Sequence, residues 1–381
     1  MVNAVIVGAV RTAVGKKNGK LAGVRPDDLL ADTLQALVER TGIDPHHVED
    51  VVAGCVDQVG EQGMNIARNA ALIAGLPLDV CGTTLDRMCG SGQQAINFAA
   101  MGIMAGQYDC VIAAGVENMT RVPMGSNGVG PGDGPLSPRL LARHDIIPQG
   151  LSAEMIAEQW GLKREELDEF AARSHEKAGR AIAEGRFARE IRPVALPDGS
   201  VFDTDEGVRV PVNRDKMATL APSFKPDGVV TAANSSQISD GAAALLLMSE
   251  TRARALGLTL RARIAATALA GVDPVIMLTG PIPATRRVLD KAGLRLDQID
   301  RVEINEAFAS VVLAWERDLH PDMERVNVNG GAIALGHPLG CSGAKLMTTL
   351  LHELERSQTR YGLQTMCIGF GQGIATIIER L

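Results

Sequence analysis

Apolar positions along the first third of the chain fall into two alternating patterns. Short runs dense in Val, Ile and Ala, at Ala4–Gly8, Asp50–Cys55 and Cys110–Ala114, have the length and composition of buried strands. Between them lie longer segments, Pro26–Thr41 and Ser91–Ala105, with apolar residues at helical spacing. Strand and helix in turn predict a mostly parallel α/β sheet covered by helices. Within Ser91–Ala105, Ala95, Ala99 and Ile103 form one stripe, and Ile96, Ala100 and Met104 form a second beside it. Two adjacent stripes leave little polar surface, which puts this helix between layers.

The pattern changes near Arg121. "PMGSNGVGPGDGPLSP" (Pro123–Pro138) is a Pro/Gly-rich excursion, followed by charged amphipathic helices at Ser152–Trp160 and Arg164–Glu184 and turn-rich sequence to about Asn234. This reads as an insertion lying over the core. From Asp240 the small apolar pattern returns. "LVERTGIDPHHVEDVVAGC" (Leu37–Cys55) then resembles "VLDKAGLRLDQIDRVEINE" (Val288–Glu306), with Gly42 matching Gly293 and Val48 matching Ile299. Both read as helix, Gly turn, short polar segment and strand. A duplicated α/β domain follows.

Composition narrows the classes. With 381 residues the chain is long enough for about two domains, each with its own core. Aromatic residues make up only 3%, so the core must be built from Ala, Val, Leu, Ile and Met. A net charge of −7 argues against a general nucleic-acid or membrane-surface binder, although a local basic pocket can still take a small anion. The six cysteines form no C-x-x-C pair and no Cys/His cluster of zinc spacing, so neither a metal site nor a disulfide framework is expected. "MVNAVIVGAVRT" lacks a signal-peptide n-region and reads as a first strand. A reducing, cytoplasmic setting is the expectation.

Two stretches carry candidate chemistry at the start of apolar helices: "LDRMCGSGQQAINFAAMGIMAG" around Cys89 and "GGAIALGHPLGCSGAKLM" around Cys341. A helix N-terminus favours a thiolate, and flanking glycines allow a sharp turn with exposed N–H groups. A small buried cysteine capping a helix has the same signature, so neither sulfur stands out on this ground. His337, between Gly336 and Pro338, sits in a loop too Gly-rich for an ordinary core element, a setting that suits a general base. In "MCIGFGQGIAT", Cys367 leads a strand into Gly369, Gly371 and Gly373, which let a ligand approach the backbone; the spacing is not a dinucleotide fingerprint. Asn305 in "NEAFA" can orient a water or an oxyanion, or simply cap a helix.

Taken in order, "CGSG", "VTAANSSQISDGAAA", "NEAFA", "GGAIALGHPLGCSG" and "MCIGFGQGIAT" resemble the thiolase family over nearly the whole chain. Within it the chain looks most like degradative 3-ketoacyl-CoA thiolases, including the β-subunit of bacterial fatty-acid oxidation complexes, as "GCVDQVGEQGMNIARNAAL" and "FAARSH" suggest. The resemblance implies the thiolase fold: two duplicated βαβαβαββ-type domains in a five-layer αβαβα arrangement. The N-terminal domain would span 1–118 and 239–258, the inserted loop domain 119–238, and the C-terminal domain 259–381. It implies Cys89 as acyl-accepting nucleophile, His337 as its base and Cys367 as the acid/base at the α-carbon. Asn305, with a water and His337, would form one oxyanion hole, and the N–H groups of Gly369 and Cys89 a second. Ser236 and Arg209 fall where family members contact the pantetheine and adenine ends of coenzyme A, which is a substrate here; no resident cofactor is implied.

The implied activity is cleavage of 3-ketoacyl-CoA by coenzyme A, as in fatty-acid β-oxidation. Condensation of acetyl-CoA, or a non-catalytic CoA-binding subunit, are the alternatives. Expected partners are CoA thioesters, a second or further copies in a dimer or tetramer, and a possible hydratase/dehydrogenase subunit. Two positions depart from the family's pattern: Gln93 stands where an apolar residue is usual, and Pro148-Gln149-Gly150 replaces the His-Met of short-chain biosynthetic members and the Met of degradative ones.

Overall fold

A computed structural model describes residues 2–381. The first half runs β1 (Ala4–Thr12), α1 (Pro26–Thr41), β2 (Asp50–Gly54), α2 (Ile66–Ile73), β3 (Cys81–Leu85), α3 (Ser91–Met104) and β4 (Cys110–Asn118). An excursion with two long helices, α4 (Gln149–Gln159) and α5 (Arg164–Ala183), precedes β5 (Ser239–Ser249). The second half follows: β6 (Ala262–Gly271), α6 (Pro281–Ala292), β7 (Arg301–Ile304), α7 (Ala309–Leu319), α8 (Leu339–Arg356), β8 (Tyr361–Ile368) and β9 (Gln372–Arg380).

Pairing makes the duplication explicit. The strand order is β3-β2-β4-β5-β1-β6-β9-β8-β7. In the first half β2 is parallel to β3 and β4, and β5 is antiparallel to β4 and β1. In the second half β7 is parallel to β8, and β9 is antiparallel to β8 and β6. Each strand of the second half thus takes the place of one in the first. The halves meet edge to edge through β1 and β6, in register at Val5↔Arg263 and Ile6↔Ala262. The matched sequence stretches occupy matched places: Gly42 and Gly293 both end their helices in the left-handed region, at φ 65° and 64°.

Alternation along each strand sorts side chains into layers. On β5, Ala242, Ala244, Leu246 and Met248 join a core with α1, while Ala243, Leu245 and Leu247 join one with α3 and α8. Helix α6 and Trp315 of α7 cover the far face of the second half with Val302, Ile304, Leu363 and Ile377. The result is a five-layer arrangement with α3 and α8 packed against each other in the middle.

Glycine makes that middle layer possible. A Cβ at Gly343 would lie 2.0 Å from the Gln93 nitrogen, and one at Gly92 would lie 2.7 Å from the Gly340 carbonyl oxygen. The first turns of α3 and α8 therefore cross backbone on backbone. Three features differ from the sequence reading. Met104 ends α3 exposed rather than buried. Helix α4 begins at Gln149, three residues early. Strand β3 has no apolar alternation because it is an exposed sheet edge.

Candidate active site

Cys89 sits in a tight turn between β3 and α3. Arg87 N–H donates to Ser91 Oγ (2.8 Å), Ser91 Oγ–H donates to the Met88 carbonyl (2.6 Å), and Gly90 N–H closes on the Arg87 carbonyl (3.0 Å). The left-handed residue is Met88, at φ 47°, and not one of the neighbouring glycines. Gly90 is needed for space, since a Cβ there would meet Ile368 at 2.5 Å. Cys89 is only 5% exposed, and burial pushes its thiol up to about 11. The nearby backbone N–H groups of Cys89 and Gly369 pull it the other way, without overcoming burial. The expectation of a low-pKa thiol from the helix N-terminus is therefore corrected: in the resting site the thiol is protonated.

His337 lies in the loop between the short helical turn Ala332–Leu335 and α8. Its backbone N–H donates to the Gln237 carbonyl and to Ser239 Oγ, both at 3.2 Å. Its Nδ1 is 2.5 Å from Ser342 Oγ, and that hydroxyl donates to the Pro338 carbonyl (2.8 Å). With the hydroxyl proton committed, Nδ1 carries the imidazole hydrogen and Nε2 keeps its lone pair. Asn305 Nδ2 donates to Nε2 at 3.3 Å. Burial, with Lys345 adding to it, lowers the imidazole to about 3, so it is neutral across the ordinary pH range.

The remaining groups come from the ends of adjacent strands. Asn305 follows β7, and its N–H donates to the Thr365 carbonyl on β8 (3.1 Å). Two residues further along β8 lies Cys367, fully buried, with its thiol pushed well up by burial and by neighbouring Cys89. Gly369 opens the β8–β9 hairpin, where Phe370 and Gly371 have positive φ. Cys89 packs in one apolar cluster with Leu339, Met366 and Ile368, which joins the His337 loop and β8 around it. Cys341 lies inside α8, buried and raised to about 12, in the core cluster that α3 and β5 share with α8. The two cysteine turns are thus separated by position: Cys89 faces the strand ends, and Cys341 is core.

Of the two residues expected at coenzyme A, Ser236 lies beside the site. Its N–H donates to the Ala307 carbonyl (2.9 Å), and its neighbour Gln237 holds the His337 backbone. Arg209 is exposed, with its N–H on His175 Nδ1 (3.2 Å), and its side chain makes no hydrogen bond to any described residue. No group of three His, Cys, Asp or Glu suited to a metal occurs among the described residues.

Three further residues shape the site. Ser342 was legible only as part of a turn motif. Glu117, at the end of β4, accepts from Val56 N–H (2.9 Å), Asp57 N–H (3.1 Å), Gly340 N–H (2.8 Å) and Gln62 Nε2 (2.7 Å), tying the His337 loop to the segment after β2. Burial raises it to about 7 against those donors. Gln149 comes close to Gly369: a Cβ on that glycine would be 3.0 Å from the Gln149 amide nitrogen.

Two buried thiols, a neutral imidazole with a defined tautomer and the backbone N–H groups of Cys89 and Gly369 beside them form a site suited to acyl transfer through a cysteine. Residues 4–251 match the family model described as thiolase, N-terminal domain, and residues 258–380 that of thiolase, C-terminal domain. The chain is 52% identical to the steroid 3-ketoacyl-CoA thiolase FadA6 of Mycobacterium tuberculosis, covering 100% of this chain and 95% of the relative. It is 47% identical to a 3-ketoacyl-CoA thiolase of Photobacterium profundum, covering 100% of both. The crystal structure of the Bacillus anthracis acetyl-CoA acetyltransferase superposes with a TM-score of 0.92 at 42% identity, over 100% of this chain and 99% of that one. The chain belongs to the thiolase family and is an acyltransferase.

Proposed function

We propose that the protein cleaves 3-ketoacyl-CoA with coenzyme A, giving acetyl-CoA and a shortened acyl-CoA. Cys89 Sγ attacks the 3-keto carbon while His337 Nε2 takes the thiol proton. The C2–C3 bond then breaks, and its electron pair passes to C2 as the enolate of acetyl-CoA, protonated there by Cys367. Coenzyme A gives its thiol proton to the Cys367 thiolate and attacks acyl-Cys89. Expulsion of the Cys89 thiolate, reprotonated from His337, restores the site. Asn305 and protonated His337 stabilise the enolate oxygen, and the Cys89 and Gly369 N–H groups the acyl oxygen. Ser236, and by the family resemblance Arg209, serve the coenzyme A side. The relatives named 3-ketoacyl-CoA thiolase support this reading.

The observation that carries it is the gathering of two buried thiols, Cys89 packed with the Met366 and Ile368 that flank Cys367, at strand ends shared with a His337 whose Nε2 meets Asn305 Nδ2 at 3.3 Å. The test is intact-protein mass after incubation with acyl-CoA. Wild type gains the acyl mass and Cys89→Ser gains none; undiminished acylation of the variant would refute the nucleophile. The same residues serve the reverse condensation, and comparing initial rates on acetoacetyl-CoA plus coenzyme A and on acetyl-CoA alone decides the direction.

A homo-oligomer fits the exposed edge strand β3, flanked by exposed Leu72, Ile73 and Leu78, and the exposed stripe Phe98, Met101 and Met104 on α3. A cytoplasmic setting fits six cysteines that are all free thiols. Among the described residues no helix is long and apolar enough to cross a membrane.

A further inference from the structure

The two departures from the family pattern have different fates. Gln93 is fully buried and its amide is spent inside the fold, donating to Thr376 Oγ1 (2.9 Å) and to the Gln364 carbonyl (3.3 Å). Gln149 is the opposite case. It is the first residue of α4, partly exposed, and its side-chain amide makes no hydrogen bond to any described residue. That amide lies against Gly369 and beside Met88, the residue before Cys89: a Cβ on Gly369 would be 3.0 Å from the amide nitrogen and 3.8 Å from Met88 Cγ.

The placement is not an accident of a loose side chain. The next residue, Gly150, is held by Phe224, since a Cβ there would lie 2.2 Å from the ring. Phe224 in turn packs edge to face on Phe308 at 5.9 Å. The start of α4 is thereby fixed over the site. Around it the wall is apolar: Ile147, Met277, Leu278, Ala307 and Phe308 pack in one cluster with Cys367.

We infer that the Gln149 amide is a specificity-determining group that donates a hydrogen bond to acyl chains bearing an acceptor oxygen within two or three bonds of the keto carbon. The inference rests on the thiolase reading above and names a substrate class for the same site. An acyl group carried by Cys89 starts beside Met88 and Gly369, so its first few atoms pass the Gln149 amide. A saturated chain offers that amide no partner; an ether, hydroxyl or carbonyl oxygen there accepts from it.

The test uses the full-length enzyme and two thioesters of equal length, 3-oxooctanoyl-CoA and its 5-oxa analogue, in which one methylene becomes an ether oxygen. The readout is the ratio of kcat/KM for the oxa substrate over the carba substrate. Wild type is expected to favour the oxa substrate by tenfold or more. Gln149→Met, of similar length without a donor, should bring the ratio to within twofold of one. Gln149→Glu keeps size and polarity but has no donor when ionised, and should lose the preference as well. A ratio near one in wild type, an unchanged ratio in Gln149→Met, or a preference retained in Gln149→Glu overturns the inference. Cleavage of neither thioester by wild type instead overturns the thiolase reading, and this inference with it. Cleavage of both at one common ratio in all three proteins overturns only the role given to Gln149.

Discussion

His337 shows how much a single residue depends on its neighbours. The Ser342 hydroxyl, committed to the Pro338 carbonyl, selects the tautomer and leaves Nε2 unprotonated, facing Asn305. Ser342→Ala removes that selection and should lower kcat/KM for thiolysis about 10- to 100-fold, part of what a positioned base contributes; an unchanged value would show that the loop alone sets the ring. The lowered pKa has a consequence for stability. A histidine held at about 3 folded, against about 6.5 unfolded, contributes stability that is complete above pH 6.5 and lost as pH falls toward 3. Between pH 7.5 and 5 the His337 contribution should fall by about 2 kcal/mol. Glu117, raised to about 7, runs the other way, because its contribution is lost as pH rises through that value. Urea denaturation of wild type and His337→Gln at both pH values isolates the histidine, and an equal pH response in the two proteins would contradict the assignment.

At the scale of elements, the crossing of α3 and α8 organises the site. Gly92 and Gly343 allow the contact, and a polar network locks it: Gln93 and Gln364 pair across it, Gln364 Nε2 donates to the Gly343 carbonyl (2.8 Å), and Thr376 Oγ1 donates to Asn97 Oδ1 (2.9 Å). The network joins α3, which follows Cys89, to β8, which carries Cys367, and to the start of α8 beside His337. Gly343→Ala should destabilise the protein by about 2–3 kcal/mol through overpacking, read as a lower urea midpoint; no change would mean that the helices can separate without cost. Helix ends here were legible because their signals are local, as with Pro26 at the start of α1 and Gly42 beyond its end. Strand β3 was not, because an exposed edge with Thr83 and Thr84 needs no apolar alternation. The glycines of the CGSG and GCSG turns were visible, but their purpose was misread: Gly92 and Gly343 serve the helix crossing rather than the turn.

On the scale of the whole molecule, two copies of one α/β unit share a central helical layer, and only the first copy places its cysteine in the turn facing the strand ends, while Cys341 of the second lies inside α8. The exposed edge of β3 and the Phe98/Met101/Met104 stripe bear on assembly. Phe98→Glu together with Met101→Glu should shift the protein toward monomer in sedimentation velocity, and an unchanged distribution would place any interface elsewhere.

The sequence by itself determined the alternation of elements, the duplication and the family, and it brought forward Cys89, His337, Asn305, Cys367 and Gly369 as candidates, because periodicity, caps and motifs are recorded within a few residues of one another. Tertiary structure decided what required distant segments to meet. It buried Cys89 deeply enough to hold its proton, brought Asn305 to His337 Nε2, turned Gln93 inward and left the Gln149 amide without a hydrogen-bond partner among the described residues beside Gly369. Burial and hydrogen-bond partners arise between residues tens to hundreds of positions apart. No local pattern records them.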